Sequence, residues 1–77
     1  MKDAIMEMLK ELRPEYDFAG SADFIGDGLL DSFDIISLVS MLEEKYGIKI
    51  DALEIVPENF QGLGAVEALV VKSGRKN

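Results

Sequence analysis

The sequence has no cysteine, no histidine and no tryptophan, and only two of its 77 residues are proline. Without cysteine, neither a disulfide nor a thiolate metal site can stabilise the chain. Without histidine, the chain lacks the commonest general base and the commonest metal ligand. These absences argue against an enzyme that acts by itself.

Long hydrophobic runs and an excess of positive charge are missing as well. No apolar stretch approaches the roughly 20 residues that cross a bilayer. In the opening segment "MKDAIMEMLKEL", charged residues are interspersed among apolar ones, whereas a signal peptide contains an uninterrupted apolar stretch. Fifteen acidic and eight basic residues give a net charge of −7, which disfavours nucleic acid and favours partners with basic surfaces. We therefore expect a cytoplasmic monomer without membrane insertion.

The residues that are present suffice for one small folded domain over 1–77. Hydrophobic residues make up 48% of the chain, too many for a disordered segment. Apolar residues recur at helical spacing in three stretches, and a proline-led segment adds a short fourth one. We predict an all-α fold, a small four-helix bundle with a long first loop and a short third helix. The predicted helices are residues 2–13, 31–46, 57–61 and 63–73, with a frayed tail at 74–77.

The connection between the first two predicted helices, residues 14–30, is long for a small domain. We expect its aromatic and aliphatic side chains to pin it onto the helices. These side chains are Tyr16, Phe18, Phe24, Ile25, Leu29 and Leu30. The segment "GIKID" alternates like a strand, but it is short and has no pairing partner, so we predict a loop there.

The second predicted helix has more apolar residues than one core face needs. At about 100° per residue, five of its large side chains share one face, which we assign to the core. These are Ile35, Leu38, Val39, Leu42 and Tyr46. Phe33 and Ile36 point away from that face, beside Ser32. Either the long loop covers them through Leu29 or Leu30, or they form a docking patch for a partner.

Ser32 opens this helix, and four interpretations of it differ in what they require. In the first, Asp31 and Asp34 form a capping arrangement and Ser32 is an exposed first-turn residue without a further role. A catalytic serine needs a base, and the chain has neither histidine nor a G-x-S-x-G elbow. Calcium binding by the nearby aspartates conflicts with their spacing, which is not that of an EF-hand. Covalent modification by a phosphate ester would be favoured by the first-turn N–H groups and the helix dipole.

The segment "GLLDSFDIISLVSMLEEKYGIKI" resembles the signature of the acyl carrier protein family, in which Asp-Ser-Leu opens the second helix. The glycine-containing loop and the "VPENF" turn extend the resemblance over about residues 3–72. The resemblance implies a carrier without catalytic activity of its own, in which Ser32 bears 4′-phosphopantetheine and Asp31 completes the modification motif. A phosphopantetheinyl transferase would install this arm from coenzyme A. Acyl or aminoacyl groups would then travel as thioesters on the thiol of the arm.

The resemblance also implies where partner enzymes would make contact. The matching positions are Phe33, Asp34, Ile36, Ser40, Glu43 and Glu44. The partners would be loading enzymes, including adenylating ones, and acyl-transfer enzymes with basic docking surfaces. Phe33 replaces the usual leucine, and Ser37 stands where fatty acid carriers commonly have glutamate. We therefore expect a specialised acyl or aminoacyl carrier, for example of the D-alanyl type, in a fatty acid, lipid or secondary-metabolite pathway rather than the housekeeping carrier of fatty acid synthesis.

The alternative from a different functional class is an interaction module of the same fold. Such a module would dock through Phe33 and Ile36 and would carry no prosthetic group. Replacing Ser32 would then leave partner binding unaltered, whereas replacing Phe33 would weaken it.

Overall fold

The computed structural model describes residues 1–76, which form three α-helices and no strand. The helices are α1 (Lys2–Leu12), α2 (Ser32–Tyr46) and α3 (Leu63–Lys76). Single 3₁₀ turns occupy Phe18–Gly20, Ala52–Glu54 and Pro57–Phe60. The prediction of an all-α fold is confirmed, and "GIKID" contains no strand. None of the three helices is long and apolar enough to cross a membrane.

The third predicted helix, over residues 57–61, is a 3₁₀ turn of four residues. A four-helix bundle is therefore not confirmed, because this element is too short to pack as a helix. Pro57 starts the turn, and the Asn59 N–H donates to the Val56 carbonyl at 3.0 Å. Since α3 already begins at Leu63, the chain has no room for a second turn.

The second helix begins and ends where the sequence predicts. Asp31 is its N-cap residue and Ser32 is its first helical residue. Gly47 ends it in the left-handed conformation, with φ of 63°, which glycine adopts without steric cost.

The last helix is longer than predicted. It continues to Lys76 instead of ending at residue 73, so residues 74–76 are helical rather than frayed. Ser73 is buried, and a Cβ atom added to Gly74 would lie 3.8 Å from Ile48 Cγ2. The last turn therefore packs against the segment after α2, which supports helix where composition alone suggested fraying. The predicted tail residue Asn77 lies outside the described residues.

The three helices share one core, to which the loop and the turn at Pro57–Phe60 also contribute. The largest fully buried side chains are Ile5, Leu9, Phe24, Leu38, Leu42, Phe60 and Val66. Helix α1 packs against α2 and α3, and α3 packs against the turn at Pro57–Phe60. Four of the five predicted core residues of α2 are buried, and the fifth, Tyr46, is partly buried against this core.

The long loop is anchored, as predicted, by its aromatic residues. The rings of Phe18 and Phe24 pack edge to face, with centroids 5.3 Å apart. The Phe24 N–H donates to the Gln61 carbonyl at 2.7 Å, which ties the loop to the start of α3. Leu30 is buried as well, whereas Tyr16 remains exposed. This loop delivers the chain to the N-terminus of α2 in a fixed position.

Candidate functional site

The N-terminus of α2 is closed by a capping box made of two aspartates. The Asp34 N–H donates to Asp31 Oδ1 at 2.9 Å, and the Asp31 N–H donates to Asp34 Oδ2 at 3.1 Å. The two bonds satisfy two of the backbone donors that a helix N-terminus leaves unpaired. Ser32 lies between the two aspartates and is exposed. The predicted capping arrangement is therefore confirmed, with Ser32 at the surface in the first turn.

Arg13, which follows the last residue of α1, reaches across to this box. Its Nε donates to Asp34 Oδ2 at 2.9 Å, and its Nη2 donates to Asp31 Oδ2 at 3.3 Å. Glu15 contacts the same guanidinium, with Oε2 3.6 Å from Nη1. The hydrogen bond and the charge of Asp34 raise the pKa of Arg13, so the guanidinium stays charged at all physiological pH values. One cation thus joins the end of α1 to the start of α2.

Asp34 is buried, with 8% of its surface exposed, and both its charge and its hydrogen bonds are used inside the protein. Its assignment as a partner-contact residue is therefore corrected: it is a structural residue of the capping box.

Glu43 is half-buried, and its Oε2 accepts a hydrogen bond from the Ile50 N–H at 2.8 Å. Of the predicted polar contact residues of α2, Ser40 and Glu44 are exposed.

The pKa of Asp31 lies below its ordinary value of 3.8. The largest cause is the hydrogen bond from the Asp34 N–H, which favours the ionised carboxylate. Partial desolvation opposes this effect, and the positive charge of Arg13 adds to it. Because the folded state lowers this pKa, ionised Asp31 stabilises the protein above pH 3.8, and that contribution is lost as the pH falls through the folded-state pKa.

Replacing Asp31 by asparagine removes this charge and keeps a good N-cap residue. We expect Asp31→Asn to be less stable than the wild type at neutral pH, with a difference that shrinks as the pH falls below about 4. Urea unfolding of both proteins between pH 7 and pH 3 measures it. A difference that stays constant or grows on acidification would contradict the account of Asp31.

An apolar trench of about 210 Å³ begins at Ser32. It runs between α2 and the segment that leads into the turn at Pro57–Phe60. Its lining residues are Ser32, Ile35, Ile36, Ile55, Val56 and Pro57. The hydroxyl of Ser32 is the only side-chain polar group among them, so a flexible group attached there would meet a continuous aliphatic surface.

Three large apolar side chains, two on α2 and one in the turn Ala52–Glu54, stand out into solvent. The exposed fractions are 80% for Phe33, 61% for Ile36 and 84% for Leu53. The long loop therefore does not cover Phe33, although Leu30 of that loop is buried. The exposure of Phe33 agrees with the interpretation of Phe33 and Ile36 as a docking patch. Ile36 lines the trench, and Leu53 precedes the trench residue Ile55 by two positions. Exposed apolar residues near one another are typical of surfaces that bind partners.

Sequence reasoning missed Leu53 because the segment "DALEIV" has no regular period that separates exposed from buried apolar residues. The signal that could have found it is the local turn chemistry. Asp51 Oδ1 accepts a hydrogen bond from the Leu53 N–H at 2.9 Å and so caps the 3₁₀ turn Ala52–Glu54. An aspartate followed by a short turn holds the next side chains at the surface.

A larger groove of about 550 Å³ lies between α1 and α2. It is lined by Ala4, Glu7, Met8, Glu11, Met41, Glu44 and Lys45. Met41 is nine residues along α2 from Ser32, which corresponds to roughly 13 Å at the helical rise. The groove mixes carboxylates with a lysine and contains no hydroxyl group, so we place the candidate site at the smaller trench beside Ser32.

The aspartates of the loop are used for local hydrogen bonds. Asp23 Oδ1 accepts from the Gly26 N–H at 2.8 Å, and Asp27 Oδ2 accepts from the Ser21 hydroxyl at 2.6 Å. Within residues 1–76, no three histidine, cysteine or acidic side chains are placed to hold a metal ion together.

Comparisons of this chain with protein-family models, with curated proteins and with solved structures find no match. The function is therefore inferred from the site itself. Its elements are an exposed serine on a capped helix, an apolar trench beside it and exposed apolar side chains around it.

Proposed function

We propose that the protein is a carrier of the acyl carrier protein type, which bears 4′-phosphopantetheine on Ser32 and delivers acyl or aminoacyl thioesters to partner enzymes. The observation that carries the proposal is the placement of Ser32. It is an exposed hydroxyl in the first turn of a capped helix, at the mouth of an apolar trench. In the proposed bundle, the turn Pro57–Phe60 takes the place of the short third helix.

The residues around Ser32 fit a phosphopantetheine group. The first-turn N–H groups of α2 and its dipole favour a phosphate ester at this end of the helix. The aliphatic trench fits the apolar portions of an arm or of its cargo. The thiol of the group supplies the thioester chemistry that the cysteine-free chain lacks.

The modification is a phosphoryl transfer to the serine oxygen. Ser32 Oγ attacks the pyrophosphate of coenzyme A at the phosphorus nearer pantetheine. The new Oγ–P bond forms as the bond to the second phosphate breaks, and adenosine 3′,5′-bisphosphate leaves. The chain has no histidine to take the hydroxyl proton. A base on the phosphopantetheinyl transferase must accept it, and the protein itself acts as substrate rather than enzyme.

Partner enzymes would dock on the surface formed by Phe33, Ile36 and Leu53, which we name the apolar rim. The two carboxylates nearest Phe33 in the sequence are occupied within the protein, because Asp34 is buried and Asp31 is engaged by Arg13. Apolar contact should therefore supply more of the docking energy than charge, with Glu44 contributing at the far end of α2. This pattern supports a specialised carrier in a lipid or secondary-metabolite pathway.

Intact-protein mass spectrometry tests the proposal directly. The purified chain is incubated with coenzyme A, Mg²⁺ and a broad-specificity phosphopantetheinyl transferase. We expect a single mass increase of about 340 Da, the mass that one phosphopantetheine group adds to a serine. A chain that keeps its original mass, beside a control carrier that is fully converted, would contradict the proposal.

Replacing Phe33 by alanine should weaken docking and leave the reacting serine intact. We expect Phe33→Ala to raise the KM for the transferase about tenfold, with kcat changed little, because an exposed aromatic anchor contributes about 1–2 kcal/mol to an interface. Leu53→Ala should act in the same direction with a smaller effect. Val71→Ala is the matched control, since Val71 is an exposed apolar residue on α3 that does not line the trench. An unchanged KM in Phe33→Ala would remove Phe33 from the docking surface.

The exposure of Phe33 and Ile36 also supports the second candidate, an interaction module without a prosthetic group. The two functions differ in their dependence on Ser32. A module retains its partners when Ser32 is replaced by alanine, whereas a carrier loses every thioester cargo. Affinity capture with wild type, Ser32→Ala and Phe33→Ala, followed by mass analysis of the captured chain, separates them.

A further inference from the structure

The capping box at the start of α2 carries an unusual amount of negative charge. A capping box usually joins a neutral serine or threonine to a glutamate or glutamine, so it contains at most one charge. Here both members are aspartates, and each carboxylate lies within hydrogen-bond distance of the backbone of the other residue. Two carboxylates this close repel each other, so the box by itself favours an open arrangement.

Arg13 is placed to remove this repulsion. Its Nε and Nη2 reach one oxygen of each aspartate, Asp34 Oδ2 and Asp31 Oδ2, from a single planar group. A guanidinium presents its N–H donors from separate nitrogen atoms in a rigid planar fork, whereas the three donors of an ammonium group share one nitrogen atom. Asp34 is nearly inaccessible to water, so Arg13 also replaces the solvation that this carboxylate has lost.

The position of Arg13 is itself fixed by the end of α1. The Arg13 N–H donates to the Leu9 carbonyl at 2.9 Å, in continuation of the helical hydrogen bonds. Leu9 is fully buried in the core. The backbone of Arg13 is therefore held in place by α1, which packs in the core. The guanidinium of Arg13 in turn contacts both residues of the capping box, Asp31 before Ser32 and Asp34 after it.

We propose that Arg13 is a positioning residue for the modification of Ser32. By holding the aspartate box closed, it fixes the backbone of the first turn and presents the Ser32 hydroxyl in one orientation to the pyrophosphate of coenzyme A. This inference rests on the proposed function. Arg13 does not touch the reacting atoms and acts only through Asp31 and Asp34.

The test is the steady-state rate of phosphopantetheine transfer to Arg13→Gln, with Lys10→Gln as the matched control. Lys10 is an exposed cation on α1 that lies 3.9 Å from Glu7, away from the box. All assays are run at a temperature at which circular dichroism shows each variant to be fully folded. We expect kcat to fall about tenfold or more in Arg13→Gln with KM within about twofold of the wild type, because misplacing a reacting group by a fraction of an ångström slows the reaction strongly. Lys10→Gln should match the wild type.

Two further variants separate positioning from simple stabilisation. Arg13→Lys keeps the charge but lacks the planar fork that fixes the two carboxylates relative to each other, so its kcat should fall between those of Arg13→Gln and the wild type. In the double variant Arg13→Gln/Asp34→Asn, the asparagine oxygen can still accept the Asp31 N–H and the repulsion is gone. Its kcat should return to within about threefold of the wild type. If Arg13→Gln does not fold, the kcat of the folded double variant is compared with that of the wild type, and a value within about threefold is the expected result.

The outcomes are distinct. Wild-type kcat in folded Arg13→Gln, a change confined to KM, or a folded double variant as slow as Arg13→Gln would each overturn the positioning role while leaving the proposed function intact. A wild-type chain that the transferase does not modify would overturn the proposed function and the role of Arg13 together.

Discussion

Ser32→Ala is expected to abolish the mass increase of about 340 Da that coenzyme A and a phosphopantetheinyl transferase produce on the wild type. The variant lacks the oxygen that forms the bond to phosphorus, and no histidine or cysteine elsewhere in the chain offers a substitute nucleophile. The fold should be unaffected, because Ser32 is exposed and the capping bonds belong to Asp31 and Asp34. The expected loss of modification is therefore complete, with a normal circular dichroism spectrum.

Ser37→Ala is the matched control for this result. Ser37 is another exposed serine of α2, but it lies in the middle of the helix, where backbone N–H groups are already paired. The wild-type mass increase should be retained in full. If Ser37→Ala lost the modification while Ser32→Ala kept it, the assignment of the site would be wrong.

Phe60→Ala is expected to cause a large loss of stability. Phe60 is fully buried in the 3₁₀ turn that packs on α3, and removing such a side chain costs about 3–5 kcal/mol. A domain of 77 residues has a total unfolding free energy of only about 4–12 kcal/mol. The variant should therefore unfold at much lower urea concentration and be partly unfolded at 37 °C. Urea titration followed by circular dichroism measures the change.

Phe33→Ala provides the comparison within the same residue type. Because Phe33 is exposed, its removal should change the unfolding free energy by no more than about 0.5 kcal/mol. The two phenylalanines thus have opposite expected profiles: Phe60 governs stability and Phe33 governs docking. A large loss of stability in Phe33→Ala, with little in Phe60→Ala, would contradict the packing described for α2 and the turn.

Features with a local or periodic cause could be predicted from the sequence. The bounds of α2 follow from Asp31 as N-cap and from Gly47 as the left-handed stop, and its core face follows from the helical period. The exposed position of Ser32 follows from the same cap. These features depend on neighbours along the chain, so one sequence contains the information needed to place them.

Features that depend on contacts between distant residues could not be predicted in the same way. The sequence places Asp34 among the partner-contact residues, yet it is buried, and Arg13, 21 positions earlier, reaches it from the end of α1. The last helix continues past residue 73 because Gly74 packs near Ile48. In both cases a tertiary contact decides the outcome, and no pattern in the local sequence encodes it.

The sequence allows Phe33 to be either covered by the long loop or exposed to solvent, because the path of the loop decides between the two. The loop turns its Leu30 into the core and leaves Phe33 outside. A helical wheel of α2 therefore suggests an exposed pair, Phe33 and Ile36, beside Ser32, and the folded chain shows that both are exposed.

The measurement that tests the central claim most directly is the intact mass of this protein isolated from the cells that produce it, followed by fragmentation to locate any added group. The account predicts a mass at least about 340 Da above that of the sequence, with the added group on the peptide that contains Ser32. A further increment that hydroxylamine removes would be the thioester cargo. A chain with the mass of the sequence alone, or with its added group on another residue, would contradict the account.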